Sequence, residues 1–197
     1  TNIADWSNRF KWNLANVHDP SVVLADDGYY YMYQTDASYG NAHVGEGQAR
    51  GHFYCRRSKD LVNWEFMGPT MHGVPTWMKA KLNEIRKAMG LGTSTTDFRN
   101  QNQFGYWAPC VRRISKDLYR MYYVVTLPGT INGAGTWSER CFIGLMETKN
   151  PADIDSWVDK GFVVTNYSDL ELNYKVSATD YAHCYFKYNA IDPSLII

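Results

Sequence analysis

The sequence carries no excess charge of either sign: 20 Lys and Arg stand against 20 Asp and Glu, a formal net charge of zero. That gives no support to a basic nucleic-acid footprint or a basic membrane patch. Long apolar runs are missing as well. No stretch approaches the roughly 20 residues that a membrane-spanning helix needs. Cysteine is scarce and scattered. Cys55, Cys110, Cys141 and Cys184 form no CxxC pair and no metal-like cluster. An even count permits disulfides arithmetically, but the strand positions below disfavour Cys110 with Cys141, and free, largely buried thiols are expected. His43, His52, His72 and His183 lack metal-ligand spacing. Thr1 is neither an initiating Met nor the start of a signal peptide. A removed export signal, and with it a secreted, periplasmic or cell-surface location, is the expectation.

What the chain has in quantity is aromatic side chains: 15 Tyr, 7 Trp and 8 Phe in 197 residues. The length suits one domain with a sizeable core. Neutral, aromatic-rich, Gly-rich chains are often all-β and often bind sugars, although a β core can use aromatics for packing alone.

A repeat organises these residues. VHDPSVVLADDGYYYMYQT begins at Val17 and YWAPCVRRISKDLYRMYYVVT at Tyr106. Each reads as an apolar strand, a tight polar turn (Asp26-Asp27-Gly28; Ser115-Lys116-Asp117) and an alternating aromatic strand. A second pair of strands follows each: HFYCRRSKDLVNW from His52 and CFIGLMETKNPADIDSW from Cys141, with Asp60 and Asp153 each four residues ahead of a Trp. A third copy opens with NAIDPSLII at Asn189. The expected strands lie near 20–25, 29–35, 51–57 and 64–67, then 107–114, 119–126, 139–147 and 157–163. Four-stranded units in tandem point to propeller blades. A β-sandwich is the alternative, but it does not require the same X-Pro signal at the head of each unit.

The expected organisation is therefore one domain: blade 1 over about 17–68, a helical insertion over about 69–105, blade 2 over about 106–164, and a connector with the first strand of blade 3 over about 165–197. In the insertion, Pro75 suits a first helical turn, Met78, Leu82, Ile85 and Met89 share one face, and Gly90 suits the stop. A helix of about four turns is expected, its apolar stripe packing on the propeller.

Antiparallel meanders sort loops by end. The turns after the first and third strands are short, whereas 36–50, 68–105, 127–138 and 164–188 are long and fall at the other end. That end also holds the starts of the first strands, including Asp19 and Asp192. Long loops on a rigid scaffold are where sites usually lie.

The blade starts VHDPSVV, FGYWAPCV and NAIDPSLI resemble, in order and spacing, those of glycoside hydrolase family 43, and HDPS with AIDP is most similar to its arabinanase branch. Cys110 departs from the Asp frequent after WAP in that family. The resemblance covers nearly the whole chain and implies a five-bladed β-propeller of which this sequence encodes the amino-terminal part. It implies an inverting glycosidase. Asp19 would be the general base, Asp192 would raise the pKa of the acid and orient it, and the acid would be a Glu on a later blade outside this chain. His18 would be a positioning residue, and Asn189 would hydrogen-bond sugar hydroxyls or merely start its strand. For Tyr106 and Trp107, stacking on a sugar ring and core packing are both open. Trp77 and Trp137 are weaker candidates. No cofactor is required by this chain, and a structural calcium ion in the central channel belongs to the complete propeller. The substrate implied is plant cell-wall α-1,5-arabinan, cleaved internally. Exo-arabinofuranosidase or β-xylosidase action and a non-catalytic sugar-binding propeller are the rivals. The remaining blades would come from the same longer chain or a second one, without which residues 1–197 are not expected to close into an active ring.

Overall fold

The computed structural model describes residues 17–36, 51–88, 90–127, 140–165 and 190–196. Two antiparallel meanders dominate it, each pairing in chain order. The first comprises β1 (Ser21–Leu24), β2 (Tyr30–Tyr33), β3 (His52–Ser58) and β4 (Glu65–Met71); the second β5 (Gly105–Ser115), β6 (Leu118–Leu127), β7 (Arg140–Thr148) and β8 (Val158–Thr165). They are two successive blades of a β-propeller, with one α-helix, α1 (Met78–Ala88), between them.

Local chemistry explains the turns. Gly28 takes a left-handed φ of 79° and donates to the Ala25 carbonyl at 3.1 Å, closing the β1–β2 hairpin. Asp117, in the β5–β6 turn, takes a left-handed φ of 57°, a conformation Asp tolerates. Between the third and fourth strands the repeated aspartates accept from backbone N–H groups ahead of them. Asp60 accepts from Val62 at 2.9 Å and Asn63 at 2.7 Å, and Asp153 from Asp155 at 3.1 Å. The tryptophans four residues on differ in burial. Trp157 packs edge-on against Tyr33 of the first blade, ring centroids 5.3 Å apart, while Trp64 is half-buried.

The core lies between the blades. Val23, Tyr31, Tyr33, Phe53 and Cys55 from the first sheet join one cluster with Val111, Tyr119, Met121, Tyr123 and Phe142 from the second. Tyr123 lies across Gly144, where any side chain would collide with its ring, and its hydroxyl donates to Asp159 Oδ1 at 3.0 Å. Polar contacts also cross the joint: Val111 N–H donates to Ser21 Oγ at 2.9 Å, and Asp26 takes Tyr119, Arg113 and the Asp117 N–H.

The helix is three turns rather than four, because 11 residues are helical. Gly90, at φ 74°, ends it, and the Leu91 N–H returns to the Arg86 carbonyl at 2.8 Å. Met78 and Leu82 are fully buried and Ile85 packs beside them; Met89 lies outside the described residues. The expected first strand of a third blade forms no ladder over residues 190–196. A first strand pairs with the second strand of its own blade, and the described residues hold none. The segment instead lies against blade 2: Ala190 and Ile191 cover Val124, Cys141 and Ile143, and Leu195 N–H meets Cys110 Sγ at 3.5 Å. Cys55, Cys110 and Cys141 are buried and form no disulfide, while Cys184 lies outside the described residues. Among the described residues no helix is long and apolar enough to cross a membrane.

Candidate active site

The observed pairing puts the segments joining β2 to β3, β4 to β5 and β6 to β7 at the end where β1 and β5 begin. At that end three equivalent residues precede proline: Asp19 before Pro20, Ala108 before Pro109 and Asp192 before Pro193. All three adopt left-handed backbone, with φ of 47°, 36° and 51°. Such values are uncommon away from glycine, and a residue before proline is normally extended. Holding each costs on the order of 1–3 kcal/mol, which the surrounding packing must over-determine. In β5 the distortion shows as a register shift between Trp107 and Cys110, and Pro109 is tolerated because β5 is an edge strand of its sheet.

These starts converge. Asp19, Ala108 and Asp192 line one cavity of about 360 Å³, together with Ser21, Cys110 and Arg112. Asp192 is exposed, and the Asp19 side chain is 41% exposed. Oδ2 of Asp19 accepts the Thr35 hydroxyl at 2.7 Å and faces His18 Nδ1 at 2.8 Å. Among the described residues no hydrogen bond reaches Oδ1, so one oxygen is anchored and the other is open to a ligand. The Thr35 hydroxyl in turn accepts the Ala108 N–H at 2.7 Å. One side chain at the end of blade 1 thus ties Asp19 to the head of blade 2.

Behind Thr35 lies a buried polar group. Asp36 Oδ2 meets His52 Nδ1 at 2.5 Å, and Asp36 Oδ1 accepts the Phe53 N–H at 3.1 Å. His52 Nε2 meets Gln101 Oε1 at 3.0 Å, and the Asp36 N–H donates to the Tyr106 carbonyl at 3.0 Å. Burial pushes the Asp36 carboxyl above the usual range, against the opposing pull of His52 and the Phe53 N–H.

The aromatic candidates divide. Tyr106 is 1% exposed, its ring stacked on His52 at 3.3 Å and its hydroxyl donating to the Gln101 carbonyl. It is core, and stacking on a sugar is withdrawn for it because no ring face is free. Trp107, on the other side of the strand, is half-buried against the cluster of Val124, Cys141 and Ile143 on which Ala190 and Ile191 also pack. Its indole lies over Gly105, where a Cβ would come within 2.6 Å of the ring nitrogen. Trp77 packs edge-on against Phe142 and Phe162 and donates to Asp159 Oδ2 at 3.0 Å, which makes it a docking residue of the helix. Asn189 and Trp137 lie outside the described residues. The residue that sequence reading missed is Thr35. Its signal was that both repeated segments close on a threonine, Thr35 and Thr126, although Thr126 serves a different contact, accepting the Gly105 N–H.

Among the described residues no group of three or more His, Cys, Asp and Glu side chains could hold a metal ion.

An extracellular endo-α-(1→5)-L-arabinanase of Thermotoga petrophila is 26% identical over 132 residues, which is 67% of this chain and 22% of that protein. Among solved structures, an exo-1,5-α-L-arabinanase from a bovine ruminal metagenomic library is 26% identical at a TM-score of 0.45, covering 76% of this chain and 37% of its own. The α-L-arabinanase of Cellvibrio cellulosa is 24% identical at 0.45, with 76% and 36% covered. The chain thus spans well under half the length of each. A family profile described as "Glycosyl hydrolases family 43" matches residues 14–197, and so takes in both blades, the helix between them and all three proline-marked starts. On that match the chain belongs to glycosyl hydrolases family 43.

Proposed function

We propose that the complete protein is an inverting glycosidase that cleaves α-L-arabinofuranosyl linkages, acting internally on α-1,5-arabinan outside the cell. The observation that carries the reading is the shared cavity: Asp19 and Asp192, at equivalent blade starts, line one hollow at the long-connector end. The similarity to an extracellular endo-α-(1→5)-L-arabinanase of Thermotoga petrophila supports the substrate and the location.

The chemistry balances with Asp19 as base. Its open oxygen takes a proton from a water whose oxygen bonds to the anomeric carbon, opposite the departing sugar. The glycosidic C–O bond breaks, and the leaving oxygen receives a proton from an acid Glu supplied by the rest of the propeller. In inverting enzymes the base and acid carboxyls stand about 6.5–9.5 Å apart, leaving room for that water. Asp192 raises the affinity of the acid for its proton by like-charge proximity. His18 steadies Asp19, and the exposed part of Trp107 and the side chain of Asn189 meet the sugar.

Proton NMR of the first products from linear 1,5-arabinan tests the reading. The complete protein is expected to release oligosaccharides whose new reducing end is the β anomer. A first-formed α anomer would contradict inversion, release of single arabinose units from the start would contradict internal cleavage, and activity on xylosides alone would defeat the arabinan reading.

A further inference from the structure

We infer that Thr35 is a positioning residue for the Asp19 carboxylate, coupling the orientation of the base to the joint between blades 1 and 2. The inference rests on the proposed role of Asp19 and adds a residue to it. Thr35 is 7% exposed and lies just beyond β2, its N–H donating to the His18 carbonyl at 3.0 Å. Its hydroxyl has one proton and can accept others. The Ala108 N–H donates into it at 2.7 Å, which leaves the hydroxyl proton directed at Asp19 Oδ2, also at 2.7 Å. The arrangement is therefore polar in one direction: blade 2 backbone to Thr35, Thr35 to carboxylate.

Holding Oδ2 from Thr35 on one side and His18 on the other fixes the carboxylate plane and leaves Oδ1 as the oxygen for water. The other charged groups around this hollow are Asp192 and Arg112, with His18 on the carboxylate itself. The neighbouring Asp36–His52 pair keeps the Thr35 backbone in place from behind, since Asp36 is bonded to both the Phe53 N–H and the Tyr106 carbonyl. Because the Ala108 amide belongs to blade 2 and Thr35 to blade 1, the contact exists only when the two blades are docked.

The test uses the complete protein and linear arabinan, with Thr35→Val, Thr35→Ser and Asp19→Asn. Thr35→Val keeps shape and loses the hydroxyl. It is expected to lower kcat about tenfold or more with little change in KM, the loss of a hydrogen bond to a charged group. Thr35→Ser should recover kcat to within about threefold, because the hydroxyl returns. If Thr35→Val does not fold, Thr35→Ala, which admits a water, serves with the same expected losses. A wild-type kcat in Thr35→Val or Thr35→Ala overturns the inference, as does a loss confined to KM or one that Thr35→Ser fails to restore. Substantial activity in Asp19→Asn would instead overturn the assignment of the base, a separately readable failure.

Discussion

At the scale of single residues, aspartate does most of the organising, and the same side chain serves three purposes by context. Asp60 and Asp153 close turns, Asp19 and Asp192 line the hollow, and Asp26 joins the blades. Asp26 makes a pH-dependent prediction. The Asp117 N–H above all, then the Tyr119 hydroxyl and Arg113, hold its carboxyl below the usual range. A carboxyl with a depressed folded-state pKa binds its proton less readily when folded, so its contribution to stability is complete above the unfolded value of about 3.9 and is lost as pH falls through the folded one. Urea titrations of the complete protein and of Asp26→Asn should differ by a constant amount from neutral pH down to about pH 5, and converge below about pH 4. A difference that stays constant into acid would show that the charge on Asp26 is not what joins the blades.

Among the elements, α1 best separates pattern from packing. Its apolar stripe was legible at helical spacing, and Pro75 and Gly90 marked both ends. Leu82 is fully buried, so Leu82→Ala should destabilise the protein by about 2–5 kcal/mol. Glu84→Ala, on the exposed face of the same helix, should stay within about 0.5 kcal/mol. Chemical unfolding of both variants checks this, and a Leu82→Ala effect no larger than that of Glu84→Ala would mean that the helix does not dock through this stripe. The eight strands were equally legible, because alternation and turn residues are local signals. The partnership of Asp19 with Thr35 and Ala108 was not. It depends on left-handed backbone at two pre-proline residues, and sequence rules assign extended backbone there. Tyr106 misled for a related reason: its place at the head of a strand is visible, but which face of the strand meets His52 is decided by the register shift after Trp107. The third-blade strand could not be tested by pattern, since a ladder needs a partner strand as well as an apolar run.

On the scale of the molecule, each blade has two faces to cover. In β1, Val23 is buried against blade 2, whereas Val22 and Leu24 on the opposite face are 42% and 49% exposed. On β8, Val163 and Val164 are likewise exposed. Among the described residues beyond it, Ala190 and Ile191 pack on the small second cluster of blade 2. We propose that further blades, from a longer chain or a second one, cover these faces and bring the acid to the hollow. That places the decisive experiment on the complete protein. Arabinan hydrolysis and arabino-oligosaccharide binding should be measured side by side for the wild type and Asp19→Asn. Loss of the general base should lower kcat by about 10²–10⁴ while binding and thermal stability hold. An Asp19→Asn protein that turns over arabinan at the wild-type rate would contradict the account.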